Sequence, residues 1–475
     1  MKQLSALDTL TEVAKAREGP ERRVRLASIR VSPAGYWAVA SVLTFTSVLL
    51  VRFENNISAL VALALAWLIT PALAFFDRIA FDGQFLSRQG PVPLMFRWLS
   101  GRSQQLSAAD FEIVETNAVR TLRRAGRVRY RYRTQVIGKG TEFTFSSGGR
   151  NYRRMVHLLL PLVHDDKLDL RTRELRDFLS DPGDLQQDVE SLNLASAEVL
   201  EDVAQHFKIS KTKELDEVGT GGDRLTAVLE LERAKQLRQL ANRLRIAGRL
   251  REAGEAFRRA LNITPKDGWL IYDFARLLRS QASALGDARL LSRARAAFRL
   301  SSVRAGNDSK LFSQIGESLL ECGEPERAEK SFLRAIDLEA KNFRARLGLA
   351  DTALRNGKLA HVIHQYRDAA EAAIDKATLI HARGEADYYA LLNDDDDYLA
   401  AELRRMSWLQ HFTRIRKLAA QVTNASILIA LLGPYIDTAL AGIGWSLASS
   451  SLVAWLSSLL AIQLFSNRRK PRPAH

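Results

Sequence analysis

Residues 234–265 read AKQLRQLANRLRIAGRLREAGEAFRRALNITP, and this stretch decides the fold of the larger part of the chain. Its first half places leucines three and four residues apart around Ala241, which is the spacing of one face of an α-helix. Gly248 follows as a turn, because glycine commonly ends a helix in the left-handed conformation. The helical spacing then returns and stops at a proline, through Ala253, Phe257, Ala260 and Pro265. The stretch therefore predicts two helices packed as a hairpin.

The same pattern recurs along the chain. A small residue stands in each first helix, at Ala241, Ala275, Gly316 and Ala350. An aromatic residue stands in each second helix, at Phe257, Phe298, Phe332 and Tyr366. Successive members lie 34 or 41 residues apart, and the longer spacing comes from an insertion around residues 281–292. Because a small side chain lets paired helices approach and the aromatic ring fills the space beneath it, we predict a stack of helix pairs.

These residues match the tetratricopeptide (TPR) consensus, and residues 233–392 resemble the TPR superfamily, with four clear repeats and a degenerate fifth. The resemblance implies an α-solenoid whose concave groove holds a protein partner. One TPR subclass clamps a C-terminal carboxylate with basic and Asn residues on successive first helices. Three of its positions are occupied here, by Arg238, Asn242 and Lys310. Asp273 and Gln314 stand where that subclass has Asn and a basic residue.

Two apolar blocks flank this central region, at residues 35–76 and 423–466. Each is long enough for a helical hairpin that crosses a bilayer twice, and Asp437 is the one acidic residue inside the second block. Basic residues cluster outside both blocks, in an N-terminal segment at 1–34 and a tail at 467–475. The positive-inside rule places such flanks in the cytoplasm. We therefore expect a multi-pass protein of a bacterial inner membrane, with its soluble domains in the cytoplasm.

Residues 77–165 predict a small, basic, β-rich module. Between Arg78 and Arg154, fifteen Lys and Arg residues stand against five Asp and Glu residues, in a chain with a net charge of +15. The predicted strands lie near residues 78–86, 111–115, 127–136 and 141–145, and a helix near residues 151–160 closes the sheet. This order resembles a bacterial pleckstrin-homology-like (PH-like) domain. In that family a strand with a glycine turn often follows a transmembrane hairpin, and a helix ends the domain.

The stretch Arg127-Val-Arg-Tyr-Arg-Tyr-Arg133 places an arginine at every second position, so a strand would carry these arginines on one face. The candidates for contact with anionic lipid headgroups are Arg127, Arg129, Arg131, Arg133, Arg150, Arg153 and Arg154. A solvated strand face explains the arginines equally well. Arginines that alternate with tyrosines also suit single-stranded nucleic acid. The adjacent apolar hairpin favours lipid over nucleic acid.

Two helical segments complete the chain, a charged connector at residues 166–232 and a capping helix at 393–422 that leads into the second apolar block. Motifs for catalysis, cofactors and metals are weak. His361 and His364 lie one helical turn apart, but no third ligand follows at a suitable spacing. We therefore expect no enzymatic activity, no cofactor and no metal.

The predicted fold is mainly α, a TPR α-solenoid with two transmembrane helical hairpins and a small β-rich PH-like module. The predicted function is a membrane-anchored scaffold that recruits a protein partner to the cytoplasmic face of the membrane. Two alternatives stay open. One is a membrane protein that binds nucleic acid through the basic module, and the other is a non-catalytic subunit of a membrane enzyme or secretion complex.

Overall fold

The computed structural model describes residues 26–31, 34–100, 104–122, 128–147, 150–194, 222–435 and 437–466. The chain forms two compact units. The first unit comprises Met1–Ser32 and Phe76–Glu385, and the second comprises Pro33–Phe75 and Ala386–His475. The β-rich module and the repeats therefore belong to the first unit, and the apolar blocks belong to the second.

Helices make up most of the described chain. In chain order they are α1 (Ala34–Arg52), α2 (Asn56–Ala64), α3 (Thr70–Phe76), α4 (Pro91–Ser100), α5 (Arg150–Leu159), α6 (Leu170–Phe178), α7 (Pro182–Ser191), α8 (Gly222–Ile246), α9 (Leu250–Ile263), α10 (Gly268–Leu285), α11 (Ala288–Arg304), α12 (Ser309–Glu321), α13 (Pro325–Leu338), α14 (Phe343–Arg355), α15 (Leu359–Glu371), α16 (Lys376–Asp394), α17 (Asp396–Leu432) and α18 (Thr438–Ser466). A π-helical turn, Leu65–Ile69, joins α2 to α3.

The first unit begins with a four-stranded antiparallel sheet. Its strands follow the order β1 (Ala27–Arg30), β2 (Arg78–Phe81), β3 (Phe85–Gln89) and β4 (Gln105–Ser107). Strand β1 precedes the first apolar block and β2 follows it, and Ile29 lies opposite Ile79. The sequence alone leaves β1 within the N-terminal segment at residues 1–34, because four residues are too few to show the period of a strand.

The single strand expected at residues 78–86 is instead a hairpin of β2 and β3. Asp82 makes the turn, because its Oδ1 atom accepts hydrogen bonds from the backbone N–H groups of Gln84 and Phe85, at 2.9 and 2.6 Å. An Asp side chain that bonds to the backbone two and three residues ahead stabilises a turn. The chain therefore reverses within the segment that the sequence pattern assigned to one strand.

A second, three-stranded antiparallel sheet has the order β5 (Ile113–Leu122), β6 (Val128–Gly138) and β7 (Thr141–Ser146). These strands are present where the sequence predicted them, and β5 is longer than expected. Helix α5 closes the sheet, also as predicted. A shared core of buried side chains unites both sheets with α5 and includes Phe81, Leu86, Phe111, Val136, Phe143 and Met155.

The predicted stack of helix pairs is present as four consecutive pairs, α8–α9, α10–α11, α12–α13 and α14–α15, followed by α16. Acidic and amide side chains begin several of these helices by accepting hydrogen bonds from the first backbone N–H groups. These N-caps are Asp267, Asp287, Asp308 and Asn342. Gly248, Gly323 and Gly357 close turns inside three pairs with φ of 80°, 76° and 70°, which favours glycine.

The predicted fit between small and aromatic residues is visible at the third repeat. Gly316 and Gly348, from two successive first helices, both face the buried ring of Phe332. A Cβ atom built on Gly316 would lie 2.5 Å from Cε1 of that ring. The ring therefore fills the space that the two missing side chains leave, and this packing fixes the separation of three helices.

The second unit contains the apolar helices. Two helical stretches, Asn56–Phe76 and Ala439–Ile462, have the length and the apolar composition needed to cross a membrane, and Gly35–Val48 is a shorter apolar helix. Helix α17 runs without interruption over 37 residues. The expected capping helix and the first half of the second apolar block therefore form one continuous helix.

Small and hydroxyl side chains lie at the helix contacts of the second unit. Ser47 on α1 donates a 2.7 Å hydrogen bond to the carbonyl of Ala59 on α2. A Cβ atom built on Gly444 of α18 would lie 2.5 Å from the backbone nitrogen of Ala430 on α17, so these helices approach closely there. Large apolar side chains such as Leu60 point outward and are exposed. Small side chains therefore lie at the helix contacts of this unit, and many of its large apolar side chains lie on its exposed surface.

Candidate functional site

The first helices of successive repeats, α8, α10, α12 and α14, lie side by side and form what we call the first-helix surface. The charged residues that it contributes include Arg245, Arg276, Glu317 and Arg344. A segment of the same chain, residues 164–178, lies against them and contains helix α6. The segment assigned from the sequence to a helical connector therefore occupies part of the surface where we expected a partner.

Glu174 of α6 forms the central ion pairs of this contact. Its Oε1 atom lies 2.5 Å from Nη1 of Arg276, and it also accepts a hydrogen bond from Arg245. All three side chains are buried, with exposed fractions of 8% for Glu174, 4% for Arg276 and 5% for Arg245. Burial alone would raise the pKa of Glu174, but the two guanidinium groups lower it below its ordinary value. Glu174 is therefore a buried carboxylate held in its charged form.

Further ion pairs extend the contact to later repeats. Arg173 Nη2 lies 3.6 Å from Glu317 Oε1, and Arg344 Nη2 lies 2.7 Å from the same oxygen. Lys167 Nζ lies 2.6 Å from Asp375 Oδ2. Burial acts to raise the pKa of Asp375, yet the hydrogen bond from Lys167 lowers it below its ordinary value. The segment thus pairs with charged groups from the first repeat to the start of α16.

The β-rich module holds α6 in this position. Asp169 caps α6 by accepting a hydrogen bond from the backbone N–H of Thr172, at 2.9 Å. The same carboxylate accepts a second hydrogen bond from the backbone N–H of Thr116 on β5, at 3.2 Å. The hydroxyl of Thr172 donates to the Thr116 hydroxyl, and the chain of hydroxyl contacts continues through Thr134 to Tyr152. Burial raises the pKa of Asp169 despite these donors. The module and α6 therefore share one buried polar network.

Strand β6 also contacts the repeats directly, at the turn between α8 and α9. The Tyr132 hydroxyl donates a 2.7 Å hydrogen bond to the carbonyl of Ile246, and the Val128 N–H lies 3.4 Å from the carbonyl of Gly248. A Cβ atom on Gly248 would overlap the carbonyl oxygen of Val128. Burial raises the pKa of Tyr132 above its usual range. Gly248 is thus needed both for its positive φ and for this close approach.

The three predicted clamp residues do not come together around one open position. Arg238 Nε lies 2.6 Å from Asp273 Oδ2, and the amide of Asn242 donates to the same oxygen at 2.9 Å. A ligand carboxylate at these two residues would have to compete with Asp273. Lys310 differs, because its side chain is 76% exposed and its Nζ atom lies 4.0 Å from Asp165.

Lys310 borders an open cleft of about 430 Å³ between α12, α14 and the segment that precedes α6. Polar and charged groups of both signs line this cleft, among them Asp165, Ser313, Gln314, Glu339 and Lys341. Phe343 lies beneath the cleft and is buried in a core cluster with Ala369 and Ala382. The cleft continues the first-helix surface beyond the part that α6 covers.

The arginine face of β6 has the alternation that the sequence predicted. Arg129, Arg131 and Arg133 are exposed, whereas Val128 is buried and Tyr132 is half-buried. Arg127 lies outside the described residues. Of the other candidates for membrane contact, Arg150 and Arg154 are exposed on α5, and Arg153 forms a 2.5 Å ion pair with Asp181.

Other candidate chemistry adds nothing to this site. Within the described ranges, no group of three or more His, Cys, Asp and Glu residues is arranged to hold a metal ion. His364 Nδ1 lies 3.6 Å from Asp368 Oδ1, as a surface pair on one helix. Cys322 is buried, and this burial raises the pKa of its thiol.

Sequence reasoning missed Glu174 and Arg173, because a charged helical segment outside a repeat reads as a solvated connector. A signal was present. Leu170 and Leu175 stand among charged residues in the part that forms α6, and both are buried in the structure. An amphipathic helix needs an apolar partner, and the module and the repeats supply it.

The helix pairs and their small-to-aromatic packing make this part of the chain an α-solenoid. No protein-family model matches the chain, and no curated protein matches it either. Solved structures that are similar in part include the following three. YrrB, described as a TPR protein with an unusual peptide-binding site, is 18% identical and covers 36% of this chain and 84% of its own, with a TM-score of 0.27.

The second is TTC0263, a TPR protein from Thermus thermophilus, which is 22% identical over 36% of this chain and 92% of its own, with a TM-score of 0.28. The third is the APC/C hetero-tetramer Cut9-Hcn1, which is 13% identical over 67% of this chain and 62% of the matched chain, with a TM-score of 0.28.

Proposed function

We propose that this protein is a membrane-anchored TPR scaffold that recruits a protein partner to the cytoplasmic face of the membrane. The observation that carries the proposal is that the first-helix surface already holds a protein segment, α6, through the buried ion pairs of Glu174 with Arg245 and Arg276. A surface that binds one charged helix is suited to bind another segment along its remaining length.

The cleft beside Lys310 is the proposed site for the partner. It continues the same surface, it is open, and it presents the exposed side chains of Lys310, Glu339 and Lys341. Because cationic and anionic groups both line it, the segment that fits is a polar peptide of mixed charge. Arg238 and Asn242 support this site indirectly, since their bonds to Asp273 tie the first two repeats together.

Membrane anchoring is supported by the apolar helices and by the way in which the first apolar block begins and ends. The Val31 N–H lies 3.2 Å from the Asp77 carbonyl, and Arg30 lies opposite Arg78 in the β1–β2 pair. The chain therefore enters and leaves the apolar block at one place, as a hairpin with both ends on one side of a membrane requires. We extend the same topology to the block at residues 423–466.

The β-rich module is the proposed lipid-facing part. Two antiparallel sheets closed by α5 support the resemblance to a PH-like domain. The exposed face of Arg129, Arg131 and Arg133 is suited to anionic headgroups. Nucleic acid is supported less well, because base stacking would need free tyrosine rings, and Tyr132 is directed at Ile246 instead.

A photo-crosslinking experiment in membranes tests the recruitment of a partner. We place a photoreactive amino acid at Lys341, in the cleft, and at Lys330 on α13 as a matched exposed control. We expect a discrete protein adduct from position 341 that is lost in Lys310→Glu and that does not form from position 330. Equal adducts from both positions, or an adduct that ignores Lys310→Glu, would show that the cleft is not the recruiting site.

A further inference from the structure

Helix α4 exposes an unusual amount of apolar surface for its ten residues. Leu94, Met95 and Trp98 are 64, 61 and 86% exposed. At 100° per residue these three side chains fall within one arc of the helix, and Arg97 flanks that arc. An exposed cluster that includes a tryptophan marks a surface that is covered in the working protein.

The position of α4 identifies what covers it. Gly90, the residue before α4, is packed on the end of the first apolar block, since a Cβ atom there would lie 3.0 Å from Asp77 Cα and 3.1 Å from the Phe76 carbonyl oxygen. The antiparallel pairing of β2 with β3 brings the chain back to this point, because Gln89 lies opposite Arg78. Helix α4 therefore starts beside the residue at which the apolar helix Asn56–Phe76 ends.

An ion pair fixes this junction. The Asp77 carboxylate is fully buried, and Arg88 donates to it through Nε at 3.0 Å and through Nη2 at 2.5 Å. A bidentate pair with a buried carboxylate holds the two backbone segments in one geometry. The start of α4 is consequently held at the depth at which the chain leaves the apolar helix.

We propose that α4 lies in the plane of the headgroup region, with Leu94, Met95 and Trp98 in the acyl boundary and Arg97 directed at lipid phosphates. The proposal rests on the membrane anchor proposed above. Its occupant is the lipid bilayer, because a tryptophan beside apolar residues and a flanking arginine is the composition of an interfacial helix. The arginine extends from the edge of the apolar arc, where its stem can cover apolar surface while its charge reaches the phosphates.

Spin-label accessibility in the full chain, reconstituted into liposomes of anionic and zwitterionic phospholipid, tests this proposal. In a Cys322→Ser background, single labels are placed at Met95→Cys on α4, at Leu63→Cys in the apolar helix and at Lys330→Cys on the repeats. Collisions with oxygen and with a water-soluble nickel chelate then report whether each label contacts lipid, water or protein. We expect Leu63 to lie deep in the bilayer, Lys330 to lie in water, and Met95 to lie about 5–10 Å below the phosphates.

Each other outcome overturns the proposal in a distinguishable way. If Leu63 is in the bilayer while Met95 contacts the nickel chelate as freely as Lys330 does, α4 is a solvated helix and the anchor stands without it. If Met95 is shielded from both oxygen and nickel, a second copy or a protein partner covers α4 instead of lipid. If Leu63 itself is in water, the membrane anchor fails together with this inference.

Discussion

Glu174 on α6 and Arg276 on α10 form a buried ion pair with 2.5 Å between Oε1 and Nη1, and 102 residues of sequence separate them. This pair joins a helix next to the β-rich module to the second repeat. Because Arg245 from the first repeat donates to the same carboxylate, one acidic side chain neutralises cations from two repeats. The module, α6 and the repeats therefore act as one folded unit and not as domains on a flexible connector.

Stability measurements on this unit use a soluble variant in which a short Gly-Ser linker joins Val31 to Asp77 and the chain ends at Asp394. The linker can be short because the Val31 N–H and the Asp77 carbonyl are hydrogen-bonded at 3.2 Å. Chemical denaturation of this variant reports the free energy of unfolding, and hydrogen exchange reports local opening.

Glu174→Gln should destabilise the soluble variant by about 3–5 kcal/mol, because it leaves two buried guanidinium groups without their counter-charge. Asp177→Asn on the same helix is the control, since that carboxylate is exposed, and its effect should stay within about 0.5 kcal/mol. Hydrogen exchange at residues 170–178 should quicken only in the first variant. Equal effects of the two changes would show that α6 is not held by these ion pairs.

The contribution of Glu174 should also depend on pH. Its pKa in the folded protein lies below the ordinary value of about 4.3, so the stabilisation is present above that pH and is lost as pH falls through the folded pKa. The difference in unfolding free energy between wild type and Glu174→Gln should therefore shrink under acidic conditions. A difference that stays constant from pH 7 to pH 3 would contradict this assignment.

Gly316→Ala tests the packing of the repeats. The new methyl group would overlap the Phe332 ring, and overpacking of this kind costs about 1–3 kcal/mol. Gly384→Ala is the matched control in α16, where nothing lies within 4 Å, and it should stabilise by about 0.5–1 kcal/mol. Adding Phe332→Leu to Gly316→Ala should recover part of the loss. Stabilisation by Gly316→Ala would mean that these helices are packed differently.

Gly248→Ala tests the contact between β6 and the first repeat. Gly357 has a similar positive φ in the fourth repeat but has open space around it, so Gly357→Ala carries only the conformational cost of about 1–2 kcal/mol. Gly248→Ala should lower the free energy of unfolding by clearly more than Gly357→Ala does, because the new methyl group displaces the Val128 carbonyl. It should also quicken hydrogen exchange in β6. Identical losses of unfolding free energy in the two variants would show that β6 is not packed on the first repeat at Gly248.

The arginine face can be tested by changing Arg129, Arg131 and Arg133 to Gln in the soluble variant. With about 1 kcal/mol for each residue near an anionic surface, binding to anionic liposomes at low salt should weaken roughly a hundred-fold. Wild-type binding should fall steeply as salt rises. The control with the same charge change carries Arg327, Lys330 and Arg334→Gln on α13 and should bind almost as wild type does. Unchanged binding by the β6 variant would leave these arginines as a solvated face.

The sequence predicted the elements whose pattern repeats or continues for many residues. The fit of Phe332 against Gly316 and the alternation of Arg129 with Tyr130 are local periodicities, and the structure contains both. Strand β1 was not predictable, because it is short and its partner β2 lies beyond the whole apolar block. Pairing over such a distance leaves no local signal.

The candidate site was predictable only in part, for a related reason. Arg238 and Asn242 were singled out by their positions within the repeat, but their bonds to Asp273 depend on how two helices meet. The occupation of the first-helix surface by α6 depends on the fold of the β-rich module, which places Asp169 beside Thr116. Sequence spacing alone contains neither relationship.

The central claim is that the repeats are held at the cytoplasmic face of a membrane, and labelling with a membrane-impermeant maleimide tests it most directly. Single cysteines at Glu54, at Tyr435 in the turn between α17 and α18, and at Lys341 are compared in a Cys322→Ser background, in right-side-out bacterial spheroplasts before and after lysis. We predict that cysteines at positions 54 and 435 react before lysis and that Lys341→Cys reacts only after it. Reaction of Lys341→Cys in intact spheroplasts, or its recovery in the soluble fraction after lysis, would contradict the account.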